Sequence, residues 1–136
     1  MIMKNTTYLI LFLFAITSFI SCKKSPGIGG QASILGNIKV NNINILGDTI
    51  ATYDAQDLDV FIVYGNLNNT YDDDTKTSYD GSFEFNFLNA GEYEVFVYSD
   101  CADCPNGQDS VVIINTTIQD NNEVKDIGTI NIANYL

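Results

Sequence analysis

The chain has 136 residues with six Lys, no Arg, no His and seventeen Asp or Glu, which gives a formal net charge of −11. This balance excludes the clustered basic side chains that nucleic-acid binding requires, and it excludes electrostatic docking on an anionic lipid surface. It also leaves no histidine for general acid–base catalysis. The length suits one domain with its own core.

The N-terminal residues have the pattern of a signal peptide. Met1–Thr7 is polar and carries Lys4, and Tyr8–Ile20 is an uncharged, mostly apolar run of thirteen residues. A run of this length is shorter than the ~20 residues of a membrane-spanning helix and matches the apolar core of a signal peptide. The sequence therefore predicts a cleaved segment rather than a spanning anchor.

The residues around Cys22 resemble the lipobox of bacterial lipoproteins. The small residue Ser21 precedes Cys22, whose thiol would receive diacylglycerol, although Phe19 stands where the strictest motif has Leu. The resemblance implies a signal peptide over 1–21 and a membrane partner contacted through lipid on Cys22, each buried methylene of which contributes about 0.8 kcal/mol. An ordinary signal peptide with an incidental cysteine is the alternative.

The composition of the segment after the predicted signal peptide indicates a flexible link. Residues 22–31 are expected to form the lipidated cysteine and a tether, because Ser25–Gly30 is rich in glycine. Lys23 and Lys24 stand where some lineages place an acidic run that marks surface export. We therefore expect a cell-envelope protein anchored to the outer membrane, with the periplasmic side slightly favoured and the leaflet left open. The mature chain would have 115 residues and five Lys against seventeen acids, a charge of −12.

From residue 32 onward, apolar and polar residues alternate with a period of two, which predicts β-strands. The expected strands are 32–40, 58–64, 71–79, a run that places Phe83, Phe85 and Phe87 on one face, 93–98, 110–118 and 124–132, with Thr49–Tyr53 as either an eighth strand or part of a long loop. Short strands joined by Asp, Asn and Gly turns predict an all-β fold. We expect a seven- to eight-stranded Greek-key β-sandwich of immunoglobulin-like type over 32–136, after the N-terminal signal segment.

Four motifs in this region resemble the carboxypeptidase regulatory-like domain. They are G-x-I-x-V at 36–40, D-G-x-F-x-F at 80–85, L-x-x-G-x-Y-x-V-x-V at 88–97 and D-I-G-x-I-x-I at 126–132. The resemblance implies a transthyretin-like β-sandwich, which serves as a spacer or binding module and assigns no activity. A hydrolase of similar fold relies on His, Arg and a C-terminal Tyr-Arg-Gly-Ser, which this chain lacks. Another immunoglobulin-like sandwich is the alternative.

Cys101 and Cys104 form a CxxC motif in a predicted loop over 99–109. A redox motif would be expected at the start of a helix, where the dipole lowers the thiol pKa. A zinc site would require two further ligands, and the chain has no other CxxC and no His. In an oxidising envelope, a local disulfide is the expected state.

Two other patterns suggest sites. Asp72 and Asp74 lie two residues apart on a predicted strand and so share a face, where they offer oxygen ligands for Ca²⁺; a solvated sheet edge is the alternative. Thr49 and Ser110 each stand in an Asp-Ser/Thr-aliphatic triplet, which resembles the O-glycosylation acceptor of some Gram-negative envelopes. No other cofactor is expected.

The sequence thus favours a non-enzymatic envelope lipoprotein whose β-sandwich contacts a protein or an extracellular polymer that it does not identify. The tyrosines at 64, 71, 79 and 98 are candidates for that contact, although some of them are expected in the core. A Ca²⁺-dependent binding module and a structural spacer are the alternatives.

Overall fold

Eight β-strands dominate residues 25–65 and 70–136, the parts of the chain that the computed structural model describes. They are β1 (Ile28–Ile43), β2 (Thr49–Asp54), β3 (Asp59–Tyr64), β4 (Asp73–Lys76), β5 (Ser82–Leu88), β6 (Gly91–Ser99), β7 (Ser110–Ile118) and β8 (Val124–Tyr135). A single 3₁₀ turn, Pro105–Gly107, lies between β6 and β7. The predicted all-β class is confirmed, and the predicted bounds of β7 coincide with those of the structure.

The strands form two sheets of four. In the first sheet β1 is central: β8 runs parallel to it along one edge, while β5 and β2 pair antiparallel with its first and second halves along the other. The second sheet has the order β4-β3-β6-β7 and is antiparallel throughout. This arrangement is a β-sandwich, as predicted, and the short strand expected near Thr49–Tyr53 is present as β2.

The core lies between the inner faces of the two sheets. On β1 the alternating residues Ile34, Ile38 and Val40 are buried, as their period of two predicts. Gly36 belongs to the same face, where a Cβ atom would lie 2.7 Å from the ring of Phe83. The glycine therefore makes room for an aromatic ring in the core. The opposing sheet contributes buried residues from β3 and β6, namely Val60, Ile62, Tyr93, Val95 and Val97.

Strand β5 departs from the predicted alternation near its end. Phe83 and Phe85 are buried as expected, but Phe87 is 69% exposed and Leu88 takes the buried position instead. Phe87 has a φ of 61°, in the left-handed region, which breaks the period of two by one residue. The prediction of three rings on one face was therefore wrong for Phe87.

The predicted tether is shorter in the structure than the sequence suggests. Strand β1 begins at Ile28, which pairs with Leu88, so residues 28–31 belong to a strand rather than forming a flexible link. Asn89 donates a hydrogen bond from Nδ2 to the Ile28 carbonyl at 3.2 Å. Strand β4 is likewise shorter than predicted, at four residues. The predicted signal peptide and Cys22 lie outside the described residues, within which no helix has the length and apolarity to span a bilayer.

The sandwich has two distinct ends. The entry end holds residues 25–27, the β5–β6 turn at 89–90 and the β7–β8 turn at 119–123, which meet through hydrogen bonds such as that from the Ala90 N–H to Asn121 Oδ1. The far end holds the β1–β2 loop at 44–48, the β6–β7 loop at 100–109 and the last residues of β8. Strand β1 runs from the first end to the second, and its sixteen residues span up to about 50 Å.

Candidate functional site

Four aromatic side chains cover the outer side of the second sheet. Phe61 on β3 and Phe96 on β6 alternate with fully buried neighbours such as Ile62 and Val95, so they project away from the core. Tyr98 continues the same side of β6 and is 48% exposed. Tyr71, which precedes β4, completes the group. We call Phe61, Tyr71, Phe96 and Tyr98 the aromatic face.

The rings of the aromatic face are in mutual contact. Phe61 lies at the centre, with its ring centroid 4.7 Å from that of Tyr71, 5.1 Å from that of Phe96 and 5.7 Å from that of Tyr98. Phe61 and Phe96 are cross-strand partners and stack at an interplanar angle of 20°. Contacts at these separations fix the rings against one another, so the face is a preformed surface rather than a set of independent side chains.

Strand β7 extends this face with aliphatic side chains. Ile113 pairs with Phe96 and Val111 pairs with Tyr98, and both aliphatic residues are about half exposed. The carboxylates of Asp74, opposite Phe61, and Glu94, on the same side of β6 as Phe96, lie beside the rings. The result is a mainly apolar surface with acidic side chains at its margin.

A groove opens at the far end where the two sheets meet. It has a volume of about 330 Å³ and is lined by Val40, Tyr53, Leu58, Tyr98, Ser99, Asp100, Asp109, Ile132, Ala133 and Asn134. Tyr53 comes from β2 in the first sheet and Tyr98 from β6 in the second. Because Tyr98 also belongs to the aromatic face, the two features are continuous. We call this feature the far-end groove.

The polar groups of the far-end groove mainly accept hydrogen bonds. One oxygen of Asp100, Oδ2, accepts from the Tyr135 N–H at 3.1 Å, which leaves Oδ1 available. Asn134 donates from Nδ2 to Asn42 Oδ1 at 2.9 Å, which leaves its own carbonyl oxygen. Asp109 adds a second carboxylate, and the lining contains no lysine. The groove therefore suits a ligand rich in hydrogen-bond donors.

The CxxC motif shapes the loop that borders this groove. Cys101 and Cys104 form a disulfide in the structure, and the loop that contains them joins Asp100 to Asp109. A ring this small removes little chain entropy from the unfolded state compared with a long loop. Its structural consequence is to restrict the loop that carries two of the groove's carboxylates.

One of the two acidic residues proposed as Ca²⁺ ligands has another partner. Asp72 accepts a hydrogen bond at Oδ2 from the Tyr64 N–H at 2.7 Å, and it lies just before β4, so Asp72 and Asp74 are not both strand residues as predicted. Within residues 25–65 and 70–136, no group of three or more His, Cys, Asp or Glu is arranged to hold a metal ion. No observation on the described residues adds a third ligand to this pair.

The two glycosylation candidates differ in their surroundings. Thr49 begins β2 and is exposed at the far end. Ser110 begins β7, is half-buried, and donates from Oγ to the Ser99 carbonyl at 3.2 Å. Of the two hydroxyls, that of Thr49 is the more accessible, and glycosylation at either position stays a prediction.

The four tyrosines named in the sequence analysis fall into three environments. Tyr71 and Tyr98 belong to the aromatic face, whereas Tyr79 is 81% exposed in the turn before β5. Tyr64 packs edge-on against buried Tyr93, and burial together with nearby Asp73 and Asp72 raises its pKa to about 12. Only two of the four therefore contribute to the candidate surface.

Sequence reasoning missed the central members of the site. Alternation with the apolar neighbours Val95 and Ile62 is compatible with Phe96 and Phe61 on the outer side of the sheet, but neither residue was singled out. Their contact depends on the pairing of β3 with β6, which alternation does not specify. Tyr53 was assigned to a segment of uncertain structure, and its place in the groove depends on the pairing of β2 with the second half of β1.

Comparisons with known proteins are sparse. No protein-family model matches the chain, and no curated protein matches it. Among solved structures, it is similar to a candidate carbohydrate-binding protein from Pseudomonas aeruginosa, at 13% identity over 79% of this chain and 91% of that one, with a TM-score of 0.48. An (S)-allantoin synthase is similar at 10% identity over 75% of this chain and 42% of that one, with a TM-score of 0.42. At these TM-scores, neither likeness identifies a family, and the carboxypeptidase regulatory-like resemblance stays a prediction.

Proposed function

We propose that this protein is a non-enzymatic binding module of the bacterial cell envelope, anchored by lipid on Cys22, and that its partner docks on the aromatic face. The observation that carries the proposal is the cluster of Phe61, Tyr71, Phe96 and Tyr98 on the outer side of a sheet. The outer face of an antiparallel sheet in a sandwich is normally polar. A contiguous apolar patch with polar margins is the usual mark of an interaction surface.

Charge limits the kind of partner. A mature chain with five Lys and seventeen acids repels polyanions, and the acidic side chains beside the aromatic face do so locally. Neutral or basic partners are therefore favoured. Of the two classes that the sequence leaves open, the open face that runs into a groove favours an extended polymer, and a protein partner is the other outcome of the test.

The contacts of residues 25–27 at the entry end indicate which end of the domain would face the membrane. Only Lys23 and Lys24 separate Cys22 from Ser25, whose carbonyl accepts from Asn89 Nδ2 at 3.4 Å. Two residues after Ser25, the Gly27 N–H donates to the buried Tyr93 hydroxyl at 2.9 Å. A lipid on Cys22 would therefore hold the entry end against the membrane, and the far end would project away from it.

Photo-crosslinking in living cells tests the proposal. The full-length protein carrying p-benzoylphenylalanine in place of Tyr71 should yield a cross-linked product, because Tyr71 is about half exposed on the aromatic face. The same replacement at Tyr79, which is more exposed but lies away from the face, is the control. A product sensitive to protease identifies a protein partner, and one that resists protease identifies a polymer. Equal products at both positions, or none at either, would contradict the proposal.

A further inference from the structure

The far-end groove brings two tyrosines and several hydrogen-bond acceptors together. Tyr53 and Tyr98 come from different sheets, and Asp100, Asp109 and Asn134 lie between the same walls. Both tyrosines are about half exposed. Tyr53 shares the inner side of its sheet with its cross-strand partner Val40, whereas the ring of Tyr98 lies on the outer side of the second sheet against Phe61 and Phe96. The groove's volume of about 330 Å³ is at the lower end of the range for small-molecule sites, ~300–1,000 Å³.

A sugar ring has the chemistry that this lining would recognise. It has apolar C–H faces that pack on aromatic rings and hydroxyls that donate to carboxylate and amide oxygens. The groove offers the Tyr53 ring for the first, with the Tyr98 ring beside it on the outer side of the second sheet, and the carboxylates of Asp109 and Asp100 and the amide oxygen of Asn134 for the second. Hydrogen bonds from a hydroxyl to a charged acceptor are stronger than those between neutral groups.

The charge of the groove selects among sugars. Two carboxylates line it and no lysine does, so an acidic sugar would meet uncompensated repulsion. Neutral sugars are accepted, and the ammonium of an amino sugar gains attraction from both the carboxylates and the tyrosine rings. Uronic acids and sulfated or phosphorylated sugars are excluded.

Tyr98 connects the groove to a longer surface. Its ring centroid lies 5.9 Å from that of Phe96 and 5.7 Å from that of Phe61, and Phe61 in turn contacts Tyr71 at 4.7 Å. A chain with one sugar in the groove would therefore meet further rings along the outer side of the second sheet. Such a row of contacts fits an oligosaccharide better than a single sugar.

We infer that the far-end groove is a saccharide subsite for a neutral or amino-sugar glycan, and that the glycan continues over the aromatic face. This inference rests on the proposed function and gives its partner a chemical class. The groove supplies selectivity through its carboxylates, and the aromatic face supplies additional contact area. The groove lies at the far end, and the aromatic face extends from it along the outer side of the second sheet, so a glycan outside the membrane can reach them.

Affinity electrophoresis of the purified full-length protein tests this inference. The gels contain hydroxyethyl cellulose as a neutral polymer, glycol chitosan as an amino-sugar polymer or polygalacturonate as an acidic one. We expect retardation by at least one of the first two and none by the third. Failure of both the neutral and the amino-sugar polymer to retard the protein, or retardation by polygalacturonate, would overturn the inference.

Four variants locate the site. Y53A and D109N change the groove alone, Y71A changes the aromatic face alone, and Y79A is the control for loss of an exposed tyrosine. We expect Y53A and Y71A to weaken binding about tenfold, as is typical for an aromatic contact residue. D109N should weaken binding of glycol chitosan more than that of the neutral polymer, and Y79A should leave both unchanged.

The variants also separate this inference from the proposed function. If Y71A weakens binding while Y53A and D109N do not, the groove is not the subsite, but the aromatic face remains a binding surface. If no polymer binds and residue 71 still cross-links to a protein in cells, the glycan class is wrong and the proposed binding role stands. If neither polymer nor cross-link is found, both fail.

Discussion

The two ends of this sandwich differ in how their polar groups are used. At the entry end, the hydroxyl of buried Tyr93 accepts from the Gly27 N–H at 2.9 Å and donates to the Asn89 carbonyl at 2.7 Å. A Cβ atom on Gly91 would lie 2.6 Å from Pro26 Cγ, so the chain packs tightly there. These groups bond to one another, and Asn89 Oδ1, which has no hydrogen-bond partner among the described residues, is buried.

The far end has the opposite character. Ile45 and Leu46, at the tip of the β1–β2 loop, are 92% and 80% exposed. In the adjoining groove, Asp109 and Asn134 are lining residues, and the hydrogen bond from Asn134 to Asn42 uses Nδ2 and leaves the amide oxygen of Asn134. The proposed function therefore places binding at the far end, while the entry end holds close contacts that stabilise the fold. Substitutions at the entry end should lower stability, and those at the far end should lower affinity.

The largest effect is expected for Y93A. The substitution removes a fully buried ring from the core and leaves the Gly27 N–H and the Asn89 carbonyl without their partner. Loss of a large buried aromatic side chain costs about 3–5 kcal/mol. Urea unfolding followed by circular dichroism should show this loss. A loss below about 1 kcal/mol would mean that the entry end does not hold the fold together.

The next effect is expected for G30A. A Cβ atom at Gly30 would lie 1.8 Å from the Leu88 carbonyl oxygen, and a backbone atom within a paired strand cannot move aside cheaply. Overpacking of this kind costs about 1–3 kcal/mol. The matched control is G47A in the far-end loop, where a Cβ atom would meet nothing within 4 Å, although its φ of 87° still causes some strain. Equal losses for the two variants would contradict the comparison.

A smaller effect on stability is expected for the double variant C101S/C104S. The disulfide closes a loop of only a few residues, and such a ring contributes at most about 2 kcal/mol in the chain-entropy model. The same variant should weaken glycan binding, because the loop positions Asp100 and Asp109. Calorimetry and affinity electrophoresis on one preparation would measure both. An unfolded protein, or unchanged affinity, would contradict the expectation that the disulfide contributes little to stability and positions the loop for binding.

The smallest effect is a dependence of stability on alkaline pH. Burial and the nearby Asp73 and Asp72 raise the pKa of Tyr64 from 10.0 to about 12, so above pH 10 the unfolded state loses this proton before the folded state does. Stability is therefore fully present below pH 10 and falls as the pH rises from 10 to 12. Y64F should flatten that fall, whereas an unchanged slope would assign it to other groups such as Tyr93, whose pKa burial also raises.

Much of the fold could be predicted from the sequence, because the alternation of apolar and polar residues along a strand identifies the side that faces the core. The bounds of β7 and the buried residues of β1 followed from that pattern alone. Phe87 was placed wrongly because the left-handed backbone at that residue interrupts the alternation, and no composition signal marks it. The tether was overestimated because glycines suggest flexibility, whereas Gly30 is required for close packing on Leu88.

The candidate site was much less predictable than the fold. The rings of Phe61 and Phe96 meet only because β3 and β6 pair, and Tyr53 reaches the groove only because β2 pairs with the second half of β1. Both relations are tertiary and leave no local sequence pattern. The sequence did single out Tyr71 and Tyr98, which lie on the aromatic face, but it placed them in one set with Tyr64 and Tyr79, which do not.

Hydroxyl-radical footprinting in intact cells tests the central claim most directly, because it reports occupancy of the surface whatever the ligand is. Labelling of Tyr53, Tyr71 and Tyr98 would be compared between the full-length protein in its native envelope and the same protein purified in detergent, with Tyr79 as the internal reference. We expect the first three to be protected in the envelope and Tyr79 to be labelled equally in both. Equal labelling of all four tyrosines would show that neither the aromatic face nor the far-end groove is occupied, and it would contradict the account.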